Sequence, residues 1–273
     1  MRLGLSSPLS HGSPEEWAER MAALGCGAVV FPVNSSSPEE VIEAYRAAAE
    51  KHGLVIAEVG VWNNMLAADG EERRRAVDYA VGQLKMADKI GAVCCVNVAG
   101  TFSGPRWDGG YRGNFSEETW AATVSAIREV IDRAEPVRAC FSIESMPWMI
   151  PTGPDEYVRL IEEVDRERFC AHLDIVNMIT SPRRYFFSDE FLRECFEKLS
   201  GRICSCHLKD IRLKEEYTFQ LEETSCGRGN LNLELFKALA DAESPDMPMI
   251  IEHLSTDEEY LDSLEYVRAR LSV

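Results

Sequence analysis

Short apolar runs alternate with longer amphipathic stretches along the whole chain. Residues 3–6, 28–33, 55–62 and 92–99 are apolar enough to be strands, and Ala139-Cys-Phe-Ser-Ile143 repeats the pattern. Three more runs follow: Phe169-Cys-Ala171, Ile203-Cys-Ser205 and Met247-Pro-Met-Ile250. Residues 92–99 are apolar on both faces, as a parallel strand sandwiched between layers should be. Helix starts stand between the runs. Ser13-Pro-Glu-Glu16 offers a capping serine, a first-turn proline and a glutamate three residues on. Ser37-Pro-Glu-Glu40 repeats that chemistry and predicts a helix turning Val41, Ile42 and Tyr45 inward until Gly53 stops it. A long amphipathic helix is expected over 71–90, ended by Gly91, and another from Ser116-Glu-Glu-Thr-Trp120. Further helices are expected around 155–164, 189–199, 233–240 and 257–271.

Eight strand–helix units without a low-complexity linker predict an α/β fold, a single (β/α)8 TIM barrel over residues 1–273. A doubly wound open sheet would want a glycine-rich phosphate turn after the first strand, and Leu3-Gly-Leu-Ser-Ser-Pro8 supplies none.

The last four strands share one further feature. Glu144 follows Ile143, Asp174 ends His172-Leu-Asp, His207 stands in Cys206-His-Leu-Lys209, and Glu252 follows Ile251. Burying a bare carboxylate is expensive unless a cation or hydrogen bonds neutralise it. Barrel enzymes gather their reacting groups at the carboxyl ends of several strands, which is where all four residues fall. Two Glu, one Asp and one His make an oxygen-rich donor set suited to one divalent ion: Mn²⁺ first, with Mg²⁺, Co²⁺ or Zn²⁺ acceptable. The two-residue period of a strand turns His172, Ser205, Lys209, Ser142 and Met146 toward the same interior, and His253 outward against the helices.

Composition narrows the chemistry. A net charge of −17 argues against nucleic acid, which needs a basic stripe, and against an anionic membrane surface. No run of about 18 apolar residues occurs and the first residues lack a signal peptide's apolar core, so a cytoplasmic protein is expected. The nine cysteines are odd in number and mostly lie in apolar runs, where Cys is a small hydrophobe; disulfides are not expected.

Glu, Asp, His and Glu at the ends of strands five to eight, with His207-Leu-Lys-Asp210 and the Gly227-Arg-Gly229 turn, resemble the xylose-isomerase-like superfamily of sugar isomerases and epimerases. The inosose isomerase and ketose 3-epimerase branches look closest. The resemblance implies a metal bound by Glu144, Asp174, His207 and Glu252, with both glutamates moving protons on opposite faces of a keto sugar or cyclitol ketone through a metal-stabilised enediolate. Lys209 would stabilise the developing oxyanion, or else pair with Asp210 or another carboxylate. A homo-oligomer is a further expectation, since related barrels often form dimers or tetramers. Epimerases of this group commonly carry His three residues after the metal-binding Asp and Arg shortly after the metal-binding His. Here the first position is Asn177, which can hydrogen-bond a hydroxyl but cannot relay protons, and Arg212 stands five residues after His207; this bears on the ketose 3-epimerase assignment and leaves the metal site untouched.

Substrate contacts are expected from Trp62 and Asn63 after strand three, Asn97 after strand four, and Trp148, His172, Asn177 and Arg212. The loop 101–114 is long enough for a lid or a subunit contact. Arg106, Arg112, Arg183, Arg184, Arg212 and Arg228 fall in loops expected at the mouth, serving either an anionic substrate group or local ion pairs. Competing readings keep the barrel: a metal-dependent dehydratase, a C-glycoside-cleaving lyase, or a non-catalytic sugar-binding barrel. The superfamily's endonuclease branch uses a histidine-rich metal cluster, and this chain has five histidines.

Overall fold

The computed structural model describes residues 1–104 and 106–271; Pro105, in the long loop 101–114, lies outside the described residues. The first half runs β1 (Arg2–Leu5), α1 (Pro14–Ala23), β2 (Ala28–Val30), α2 (Glu39–Lys51), β3 (Val55–Gly60), α3 (Gly70–Ile90), β4 (Cys94–Asn97) and α4 (Glu117–Ala134). Then follow β5 (Cys140–Ile143), α5 (Pro154–Val164), β6 (Ala171–Asp174), α6 (Ile175–Met178), α7 (Pro182–Phe186) and α8 (Ser188–Leu199). The chain ends with β7 (Ile203–Leu208), β8 (Asp210–Leu213), β9 (Leu221–Thr224), α9 (Leu233–Glu243), β10 (Pro248–Ile251) and α10 (Asp257–Leu271).

Eight strands pair in parallel in the order β5-β4-β3-β2-β1-β10-β7-β6. The ring closes between β5 and β6, where Phe141 N–H donates to Arg168 O at 2.8 Å and Glu144 bridges to His172. This is the expected barrel. The antiparallel hairpin β8–β9, paired Asp210 with Thr224 through Leu213 with Leu221, is extra. Its Asp-Ile-Arg-Leu and Leu-Glu-Glu-Thr strands are too short and charged for an apolar pattern to reveal.

Local chemistry sets most helix ends as expected. Ser13 Oγ accepts from Glu16 N–H and Ser116 Oγ from Thr119 N–H, each at 3.2 Å, satisfying first-turn donors. Gly91, at φ 76°, ends α3 in the left-handed conformation. Ser37 departs from expectation. It belongs to a turn in which its N–H donates to Asn34 O, so α2 starts two residues later, with Pro38 at the cap and no side-chain cap bond.

The helices bury their apolar faces on the outside of the barrel through residues such as Trp17, Leu84, Ile127, Leu160 and Leu192, all fully buried. Inside, β1 approaches β2 closely. A Cβ on Gly4 would lie 2.3 Å from Ala28 O and 2.8 Å from Ile250 Cδ1. Backbone oxygen cannot give way, so Gly4→Ala is expected to destabilise the fold by about 1–3 kcal/mol, read by denaturant unfolding; an unchanged midpoint would refute this packing. Among the described residues no helix is long and apolar enough to cross a membrane.

Candidate metal centre and active-site mouth

Each strand end delivers its side chain as a consequence of where pairing stops. Glu144 is the first residue past β5, held by its N–H donating to Asn97 O at 2.8 Å. Asp174 closes β6 and caps α6, with Oδ1 accepting from Asn177 N–H at 3.0 Å and Oδ2 left pointing inward. His207 Nδ1 lies 2.8 Å from Glu252 Oε1, 3.2 Å from Glu144 Oε1 and 3.7 Å from Asp174 Oδ2. Glu144, Asp174, His207 and Glu252 each contribute one ligand atom to a set lying within 4.8 Å of one another. An ion with bonds of about 2.1 Å separates its ligands by about 3–4 Å, close to the 2.8–3.7 Å between His207 Nδ1 and the three carboxylates.

Lys209 reaches into the same place. Its Nζ lies 2.6 Å from both Asp174 Oδ2 and Glu252 Oε1, and 4.0 Å from Glu144 Oε1. Those two oxygens are ion-paired to the ammonium and buried, yet accept no hydrogen bond of sound geometry, which leaves them directed lone pairs for a further cation. That is the signature expected of donors arranged for a cation of higher coordination, and the oxygen-rich set fits a hard divalent ion. Asp210 is not the partner of Lys209. Its carboxylate instead accepts backbone N–H groups of Ile211, Gly227, Gly229 and Leu231 at 2.9–3.0 Å, tying the Gly227-Arg-Gly229 turn to the barrel.

One residue of the site escapes the sequence reading. Glu58, in the middle of β3, is buried beneath the cluster, with Oε2 3.2 Å from His207 Nε2 and Oε1 accepting from Ser205 Oγ at 2.6 Å. A carboxylate inside the run Val-Ile-Ala-Glu-Val-Gly was the available signal. Its placement sets the ring: with Nε2 turned to Glu58, His207 points Nδ1 at Glu144, Asp174 and Glu252.

The electrostatics follow from packing so many charges out of water. Burial, and then the charge of Glu252, push the Glu144 carboxyl up to about 7. Burial also works to raise Glu252, but the charges of His207 and Lys209 prevail and hold it at about 2. Burial opposes a charge on His207, and Glu252, Glu58 and Glu144 together overcome this, holding its imidazolium well above the usual range. His172 is pushed down to about 4, by burial and then by the charge of His207, whose ring centroid is 4.1 Å away. Four buried carboxylates thus face two buried cations, an imbalance that a dication would relieve.

Above the cluster opens a mouth of ≈ 770 Å³ lined by Trp62, Trp107, Trp148, Glu144, Asn177 and Glu223 among others. Of the expected substrate contacts, Trp62, Trp148 and Asn177 reach it. Asn177 Nδ2 also donates to Glu144 Oε1 at 3.0 Å. Asn63 and Asn97 stand behind the wall. Asn97 Oδ1 accepts from Asn63 N–H at 3.0 Å, its Nδ2 donates to Asn63 Oδ1 at 3.2 Å, and Asn63 Nδ2 donates to Ala76 O at 2.9 Å. Their amides are taken up in holding the turn that presents Trp62, rather than left free for a hydroxyl. His172 is wholly buried below the ligands, 3.6 Å from Glu58, so it does not face the mouth. Arg212 sits on the hairpin, paired with Glu222 at 2.7 Å, away from the lining.

His253 corrects the expectation that it packs outward against helices. It lines the mouth, half exposed, with Nδ1 3.0 Å from Lys209 Nζ and 3.2 Å from Glu223. The reason is backbone geometry: β10 ends at Ile251 and His253 adopts φ 59°, so strand alternation no longer applies.

A family model described as "Xylose isomerase-like TIM barrel" matches residues 18–270. A xylose isomerase-like TIM barrel protein from Mycobacterium smegmatis, solved in complex with magnesium, has a TM-score of 0.70 at 18% identity, covering 96% of this chain and 90% of that one. D-psicose 3-epimerase with D-tagatose, from Clostridium cellulolyticum, has a TM-score of 0.73 at 15% identity, covering 99% of each chain. Endonuclease IV from Thermus thermophilus reaches 0.73 at 17% identity, covering 100% of this chain and 99% of that one. Curated protein sequences give no match. Epimerase and nuclease resemble the chain equally in fold, so the choice between chemistries rests on the side chains of the site.

Proposed function

Because the chain belongs to the xylose isomerase-like TIM barrel family, we propose that it is a divalent-metal-dependent isomerase or epimerase of a keto sugar or cyclitol ketone. The observation that carries this is the convergence of Glu144, Asp174, His207 and Glu252 within 4.8 Å of one another on the floor of an open mouth. These four residues would hold the ion, Mn²⁺ being our first choice among Mn²⁺, Mg²⁺, Co²⁺ and Zn²⁺ for an oxygen-rich set. Such an ion supplies Lewis acidity toward a carbonyl and its neighbouring hydroxyl, which makes the adjacent C–H acidic.

The protein groups then divide the proton work. Glu144 and Glu252 approach the floor from different strands, so one carboxylate can remove an α-proton and the other can return a proton on the opposite face. Asn177, donating to Glu144 Oε1, fixes the orientation of that carboxylate. Lys209 stands beside Asp174 and Glu252 with an ammonium able to donate to a developing oxyanion. Trp62 and Trp148 offer flat faces for sugar C–H groups. The acidic net charge and the histidine-poor cluster support a carbohydrate over a nucleic acid substrate.

Metal-loaded protein incubated with keto sugars and inososes in D₂O should place deuterium α to the carbonyl of a turned-over compound, and chelation should stop it. Exchange that ignores chelation, or no exchange with any of them, would sink the reading. A product lighter than the substrate by water or by an aglycone would move the assignment to elimination. A second reading has its own observation: Lys209 Nζ already lies 2.6 Å from two of the ligand carboxylates, as in a barrel that uses lysine as its resident cation and binds sugar without turnover. Calorimetric titration with Mn²⁺ separates the two, since only the enzyme reading requires saturable binding at one ion per chain.

A further inference from the structure

The mouth above the cluster says what kind of sugar derivative fits it, given the reading that the floor holds the reacting carbons. Its rim is aromatic. Trp62, Trp107, Trp148 and Phe219 remain 38–44% exposed there, and Ile179 and Leu221 fill the wall between them. Two of these rings are held in place. Trp148 Nε1 donates to Asp108 O at 2.7 Å, and Asn114 Nδ2 donates to Trp148 O at 2.9 Å, so the loop 101–114 and the loop after β5 brace each other. Trp62 is set by the Asn63–Asn97 amide pair. Rigid aromatic faces open to solvent on a rim are poised for a ligand, because leaving them wet forfeits the apolar burial they could gain.

Charge at the rim points the same way. Among the described lining residues the cations are Arg106 and His253, and both have carboxylate partners: Arg106 bonds Asp108 at 2.6 and 2.9 Å, and His253 lies 3.2 Å from Glu223. Glu144 adds a further carboxylate to the lining. Of the other loop arginines, Arg212 pairs with Glu222, Arg183 and Arg184 line a separate hollow beside α5 and α8, and Arg228 lines another beside α10. Among the described residues no cradle for a phosphate is assembled over the metal site. The space, ≈ 770 Å³, is of the size that takes drug-sized ligands rather than a lone hexose.

We propose that the substrate is an uncharged glycoside whose sugar ring carries a ketone, with the ring resting on the floor and an apolar, planar aglycone lying among Trp62, Trp107 and Trp148; plain glucosides are non-reacting binding probes for it. The sugar supplies hydroxyls to the polar floor, and the aglycone supplies the ring face that the rim lacks.

The test uses the full, Mn²⁺-loaded chain and three probes: phenyl β-D-glucopyranoside, methyl β-D-glucopyranoside and D-glucose 6-phosphate, followed by calorimetry and tryptophan fluorescence. The phenyl compound is expected to bind about tenfold or more tightly than the methyl compound, and the phosphate no more tightly than the methyl compound. Trp148→Ala and Trp62→Ala should each weaken the phenyl glucoside by about three- to tenfold more than they weaken the methyl glucoside. Circular dichroism and Mn²⁺ affinity verify that each variant is folded. Equal affinity for phenyl and methyl probes, no binding of the phenyl probe, or preference for the phosphate overturns the proposal. Failure of the isomerase reading looks different: deuterium exchange would be absent while aryl selectivity persisted.

Discussion

Asp174→Asn is expected to abolish the thermal stabilisation that a saturating divalent ion confers. A ligand present at about 100 times its dissociation constant stabilises the native state by about 2.7 kcal/mol, which raises the melting temperature of a chain of this size by roughly 5–10 °C. The asparagine amide keeps an oxygen in the position that caps α6 by accepting from Asn177 N–H, so the helix start is preserved. What disappears is the charge of Oδ2, the buried oxygen that accepts no well-formed hydrogen bond. Metal affinity should fall by at least about 100-fold and α-proton exchange should drop with it, because hard ions are held chiefly by anionic oxygen. A variant that kept the wild-type shift with Mn²⁺ would show that the ion, if bound, does not use Asp174.

The second large effect is expected from Glu58, which lies outside the proposed donor set. Glu58→Leu removes the acceptor 3.2 Å from His207 Nε2 and the acceptor of Ser205 Oγ, leaving a buried imidazole nitrogen without its partner. Outer partners of metal-binding histidines carry about 10–100-fold of metal affinity, and a loss in that range is expected here. Glu58→Gln keeps an oxygen able to accept from Nε2–H and should lose much less. The distinguishing readout is the nitrogen spectrum of His207 in the Mn²⁺-free, Zn²⁺-loaded protein: in the wild type Nε2 should be protonated and Nδ1 deprotonated on the ion, and in Glu58→Leu this preference should weaken. Equal affinity losses for Leu and Gln, with the His207 signals unmoved, would reduce Glu58 to a packing residue.

These two residues also mark the border of what the chain alone reveals. Asp174 was readable because it stands at the end of an apolar run, and period-two alternation then says that its side chain turns inward. The same rule found Glu144, His207 and Glu252. Glu58 carried an equally visible warning, a charge amid Val, Ile, Ala and Val, but nothing local says what neutralises it. Asn63 and Asn97 show the reverse. Their residue type suits a sugar hydroxyl, and only the folded chain shows that the amides bond each other and Ala76 O. At His253 the alternation rule was carried two residues past the end of β10, where a left-handed backbone had already cancelled it.

Element order, barrel class and the strand-end placement of Glu144, Asp174, His207 and Glu252 were determined by the sequence itself, because periodicity, capping and strand-end position act over a few residues and can be read from neighbours. Which charges meet was decided by closure of the barrel. Glu58 and His207 are 149 residues apart, and Lys209 finds Glu252 rather than the adjacent Asp210, whose carboxylate is already filled by four backbone N–H groups. Electrostatic partnership depends on distance through space and on what else competes for each oxygen, and those two quantities exist only once the strands are paired.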